Sequence, residues 1–182
     1  MVVTVMSSAT PSRGGREPRP GVIVTHPNRD KPAVQATRAA VVLLLLASAG
    51  VILVVTVSGW NVLESARWAQ ILYFIIYLAF AFYAARWNRG VLPVAAVFAV
   101  LLLIFALVAG PGWFDRDKSG FAAPDYLSAS LIGVLTLLLV PLQMLVIAFT
   151  MRGFQQGWNV ELERRDPAAG ANLYADAPPQ PA

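Results

Sequence analysis

The chain has 182 residues, 57% of them hydrophobic and 13% charged, with a formal net charge of +4 and a mean hydropathy of +0.61. Soluble domains carry roughly 25% charged residues, so the deficit here is that of a lipid-facing surface. Having no cysteine excludes disulfides, thiol catalysis and cysteine metal sites, and a single histidine, His26, excludes a histidine metal cluster or a bis-histidine haem within one chain.

Residues 1–38 hold Pro11, Pro18, Pro20, Pro27 and Pro32 among six Lys and Arg residues. Proline density and low hydrophobicity predict a disordered basic tail. The opening MVVTVMSSATPSR lacks the short apolar core of a cleaved secretory signal. Met6 offers a second possible start.

The run Ala39–Ser58 is uncharged, with Ser48, Thr56 and Ser58 as its polar side chains. Twenty helical residues rise about 30 Å, the thickness of a bilayer's hydrocarbon core. This predicts a first span that also serves as an uncleaved signal anchor. A second span is predicted over 68–85, entered through Arg67 and Trp68, and a third over 91–109. The five residues Arg86–Gly90 are too few to re-cross a bilayer, so these two spans form an antiparallel hairpin. Gly110-Pro111-Gly112 is expected to end the third span. A fourth is predicted over 127–151, kinked at Pro141, with Asp125 as its cap.

The segment GFQQGWNVELERR suits either an interfacial helix, from Phe154, Trp158 and Leu162, or a strand, from Val160 and Leu162 alternating with Glu161 and Glu163. From Asp166 the Pro/Ala-rich tail is expected to be disordered. The fold class is thus an all-α integral membrane protein of four antiparallel transmembrane helices with disordered N- and C-terminal tails: a disordered basic tail over 1–38, a transmembrane domain over 39–152, and an interfacial segment followed by a disordered tail over 153–182. With the N-terminus cytoplasmic, eleven of the fourteen Lys and Arg residues fall on one side and Arg67, Arg116 and Lys118 on the other. The positive-inside rule therefore places both termini in the cytoplasm and the chain in the inner membrane. The basic charge follows from orientation, and no nucleic-acid partner is expected.

None of the four runs holds Asp, Glu, Lys, Arg or His in its interior. Pumps and ion-coupled transporters usually carry one. The interior polar candidates are Gln70, Tyr73, Tyr77, Tyr83, Thr136 and Gln143. Gln143, two residues after Pro141, is placed to bond a neighbouring helix or the carbonyls that the proline frees. Either way it reads as packing glue, with a hinge or ligand contact as the functional alternative. Tyr73, Tyr77, Phe80 and Trp87 form an aromatic stripe on one helix face. It is suited to packing on the small faces Ala47–Gly50, Ala95/Ala99 and Ala129/Gly133, or to lining a site for a lipid-soluble molecule.

Asp115, Asp117, Ser119 and Gly120 are spaced as in D-x-[DN]-x-[DNS]-G, and this hexapeptide resembles the first half of an EF-hand-type calcium loop. The resemblance implies Ca2+ as the one possible cofactor. The position of the bidentate glutamate holds Tyr126 instead, and Arg116 and Lys118 dilute the charge. GWNV occurs at Gly59–Val62 and at Gly157–Val160, which interfacial tryptophans explain without a repeat. No catalytic motif is present, so an enzyme is not expected. Two functions remain. The first is a non-catalytic accessory or scaffold subunit that meets a membrane-protein partner or its own copies in the lipid bilayer. The alternative is a small oligomeric transporter or channel-like protein for a neutral or apolar solute. A scaffold would tolerate Gln143→Leu, whereas a solute path would not.

Overall fold

A computed structural model describes residues 22–25, 27–64, 66–116, 123–160 and 162–165. Four helices carry the fold: α1 (Pro32–Ser58), α2 (Ala66–Ala85), α3 (Val91–Asp115) and α4 (Ala129–Gln155). All four are long and apolar enough to cross a membrane. The chain divides into two compact units, one of them spanning His26–Glu161 and holding the four helices. The other contains a short antiparallel ribbon in which β1 (Val22–Thr25) pairs with β2 (Leu162–Arg165), Val22 opposite Arg165 and Thr25 opposite Leu162.

Several boundaries differ from the sequence reading, α2 beginning at Ala66 rather than at 68 and α4 running over Ala129–Gln155 rather than 127–151. Residues 1–38 do not form one disordered tail: β1 falls within them, and α1 begins at Pro32 rather than Ala39. Proline suits the first helical turn because that turn has no use for its missing N–H. The third helix does not stop at Gly110-Pro111-Gly112 but continues to Asp115. The continuation brings Trp113 into the core, where it is 6% exposed and packs beside Gly59 and Gly133. A Cβ on Gly110 would stand 2.5 Å from Leu137, so α3 and α4 meet closely there. Burial of a large aromatic outweighs two glycines and a proline. The cap of α4 is Ser128, whose Oγ accepts from the Leu131 N–H, not Asp125. Asp125 instead donates its N–H to the Ser58 carbonyl and accepts from the Asn61 N–H.

The ambiguous segment after Arg152 takes both forms in turn. Helix α4 runs on to Gln155, a turn follows, and strand β2 begins at Leu162. The rest of the two tails, Asp117 and Ser119 lie outside the described residues.

Helix α1 packs on α2 and α4, and α3 packs on α4, whereas α2 and α3 touch much less. The main core joins Val41, Leu45 and Ala49 of α1, Tyr77 and Ala84 of α2, Leu92, Ala95 and Ala99 of α3, and Val146 of α4. A second cluster, Val55, Val62, Trp113, Ala129 and Ile132, closes the end where α1 and α3 finish and α4 starts. The alanine face of α3 lies inward as its spacing predicts, while Gly50 of α1 meets nothing within 4 Å.

Candidate functional site

Five helical hydroxyls lie in the helix core and satisfy themselves locally. Thr37, Ser48, Thr56, Thr136 and Thr150 each donate to the carbonyl four residues earlier, at 2.6–2.8 Å. A Ser or Thr hydroxyl has one hydrogen and two lone pairs, so each can still accept a bond. The three on α1, Thr37, Ser48 and Thr56, each meet a glutamine from elsewhere in the fold.

At the centre, Tyr77 Oη donates to Gln143 Oε1 at 2.7 Å, and Gln143 Nε2 donates to Ser48 Oγ at 3.0 Å. Ser48 then passes its hydrogen to the Leu44 carbonyl at 2.8 Å. All three side chains are fully buried. The direction of every bond is fixed, because the final carbonyl can only accept. Towards the starts of α1 and α3, the same order recurs. Trp158 Nε1 donates to Gln156 Oε1, Gln156 Nε2 to Thr37 Oγ1, and Thr37 to the Ala33 carbonyl.

The third hydroxyl breaks the pattern. Thr56 Oγ1 lies 2.6 Å from the Ile52 carbonyl and 2.7 Å from Gln70 Oε1. A hydroxyl has one hydrogen, and the Ile52 carbonyl can only accept it. The two ends of the Gln70 amide are nearly the same size, and turning its nitrogen to Thr56 would give the order of the other two relays. In that orientation its oxygen lacks the donor that Tyr77 and Trp158 supply in the other two relays.

Gln70 also lines a cavity of about 320 Å³. Its back wall is Ile52 and Val55 of α1, Leu102 and Ala106 of α3, and Thr136 and Leu139 of α4, all buried. Its rim is Ala66 and Ala69 of α2 with Phe105, Val108 and Ala109 of α3, all exposed. The cavity exists because α2 and α3 are pinned together further along, where Phe80 stacks edge-on to Phe98 and Tyr73 to Phe98 and Phe105. Beyond those rings, alanines face alanines and leave a gap. Tyr73 also lines the cavity, and its hydroxyl takes no part in the hydrogen bonds among the described residues.

The start of α1 and the end of α4 meet in a clasp of arginines and tryptophans. Arg38 stacks on Trp87 at 4.3 Å and donates to the Ala85 carbonyl, and Trp87 meets the buried Trp158 edge-on at 5.6 Å. Arg29 donates to the Trp158 carbonyl and to Asn159 Oδ1. The two GWNV segments act alike. Each follows a helix end, and its asparagine binds the lead into another helix. Asn61 Nδ2 donates to the Ala123 carbonyl before α4, and Asn159 accepts from Arg29 before α1. Their tryptophans differ, Trp60 being 40% exposed and Trp158 buried.

Of the residues singled out in the sequence, Gln143 and Tyr77 are bonded to each other, and Tyr73 and Thr136 meet in the cavity. Gln143 bonds other helices, not the carbonyls near Pro141, and Pro141 itself is exposed. Asp115 ends α3 on an exposed turn. Among the described residues no group of three His, Asp or Glu side chains could hold a metal ion. Sequence reasoning missed the pairing of Ser48 with Gln143 and of Thr56 with Gln70. The signal was three hydroxyls in an otherwise apolar run.

No protein-family model, curated protein or solved structure matches the chain.

Proposed function

We propose that this chain is a multi-pass protein of the inner membrane that serves as a non-catalytic accessory or scaffold subunit. Its four helices run antiparallel, with both termini cytoplasmic. Outward side chains such as Leu43, Ile75, Val108 and Met144 are more than half exposed, a pattern suited to lipid and costly in water. Arg38 bonding the last residue of α2, and Gln156 reaching Thr37 near the start of α1, favour antiparallel neighbours. The charge asymmetry favours a cytoplasmic N-terminus.

The observation that carries the scaffold reading is the Tyr77–Gln143–Ser48 relay. A solute path along Gln143 needs that amide to be reachable, and it is fully buried with its bonds directed into the protein. Such a relay rigidifies a bundle, which is what a subunit presenting a fixed outer face requires. The cavity beside Tyr73 and Thr136 favours the second reading, a small oligomeric transporter for a neutral or apolar solute. Purification in gentle detergent followed by native mass spectrometry separates the two. A defined hetero-complex at fixed stoichiometry is expected. A lone chain or homo-oligomer, joined to solute flux in liposomes, would replace the scaffold with the transporter.

A further inference from the structure

We propose that the cavity between α2 and α3 binds a neutral hydrophobic molecule carrying a hydroxyl group, an alcohol or phenol that enters sideways from the bilayer. The inference rests on the membrane reading above and goes beyond the scaffold role. Size comes first. A cavity near 150 Å³ lined by apolar side chains takes benzene, and this one, at about 320 Å³, has room for roughly two fused rings. Ligand pockets start at about 300 Å³.

The walls choose the polarity. Among the described residues no charged side chain lines the cavity, so an ion would lose its hydration without compensation. The polar groups that do line it are Gln70, Tyr73 and Thr136, and Thr136 already donates to Ile132. With its nitrogen turned to Thr56, Gln70 offers a carbonyl oxygen whose counterparts on Gln143 and Gln156 both receive an aromatic O–H or N–H. Tyr73 offers a hydroxyl that bonds nothing among the described residues. A ligand hydroxyl matches both, donating to Gln70 and accepting from Tyr73. It would complete the third relay as Tyr77 completes the first. The exposed Ala69 and Phe105 leave the entrance open on the outward side, between two helices that touch far less than α3 and α4 do.

The test uses the full chain in phospholipid nanodiscs, with 2-naphthol and 2-methoxynaphthalene as probes and empty nanodiscs as the partition blank. The two probes have the same rings, but the ether cannot donate. Saturable binding of 2-naphthol is expected, about 3- to 10-fold tighter than the ether, the value of one hydrogen bond. Gln70→Leu should abolish that preference while sparing the fold, since Thr56 keeps its bond to Ile52. Ala69→Phe, at the exposed rim, should remove saturable binding altogether. Equal affinities, a preference that survives Gln70→Leu, or no binding above the blank would each overturn the proposal. So would a retained phospholipid that 2-naphthol does not displace. Alkaline extraction beforehand keeps the two readings apart. Release from membranes defeats the membrane reading together with this one, whereas an integral protein that fails to bind defeats this one alone.

Discussion

Gln143 on α4 reaches Ser48 on α1 across the helix core, its Nε2 donating to the Oγ at 3.0 Å while its Oε1 receives the Tyr77 hydroxyl at 2.7 Å. One amide thereby ties three helices through a single directed chain of bonds.

That geometry changes what Gln143→Leu should do. From the sequence, the exchange is harmless to a scaffold. In the structure it strands the Tyr77 hydroxyl in an apolar core, at a cost of about 1–2 kcal/mol. Tyr77→Phe combined with Gln143→Leu should restore much of that loss. A double-mutant cycle on unfolding in detergent reads the coupling, and strictly additive effects would show that the two side chains are not partners.

Two glycines should behave in opposite ways when changed to alanine. At Gly153 the new Cβ would stand 2.8 Å from the ring of the buried Trp158 and 3.1 Å from Leu92, so about 1–3 kcal/mol of stability is lost. At Gly50 it meets nothing, and the helix gains about 0.5–1 kcal/mol. Thermal melting of both variants checks the order.

Arg38→Lys should lower stability by about 1 kcal/mol although the charge is kept. A lysine loses the planar stack on Trp87 and the aligned donor to the Ala85 carbonyl. Melting alongside Arg152→Lys, an exposed position outside the clasp, provides the comparison.

Orientation is testable because the chain has no cysteine of its own. Asn88→Cys in the α2–α3 turn should react with an impermeant maleimide only after the membrane is opened. Tyr126→Cys before α4, at a position 74% exposed, should react in intact cells. The reverse result would invert the topology.

Millimolar calcium is expected to leave the melting temperature where chelator leaves it. Asp125, the acidic residue nearest the missing twelfth ligand, is already engaged by the Asn61 N–H and the Ser58 carbonyl. A calcium-dependent rise that Asp115→Asn removes would restore the calcium loop.

Hydropathy made the four helices readable, since a long uncharged apolar run has few other outcomes. It misplaced their ends where burial decided the matter, as at Trp113, which carries α3 past a glycine-proline-glycine triplet. The aromatic stripe on α2 was legible from its spacing as far as Tyr77, Phe80 and Ala84, all buried, whereas Trp87 lies in the turn beyond the helix end at Ala85. So was the place of Gln143 within a helix run, though not its partners.

The sequence by itself determined how many membrane-length helices form, and which polar side chains lie within them, because periodicity and hydrophobicity are properties of each segment alone. Only the tertiary structure decided which glutamine meets which hydroxyl, and that Gln70 faces a cavity instead of an aromatic donor. Those outcomes depend on how far apart two helices stand, and that distance is set by contacts between residues remote in the chain, such as Tyr73 with Phe105 and Gln143 with Ser48.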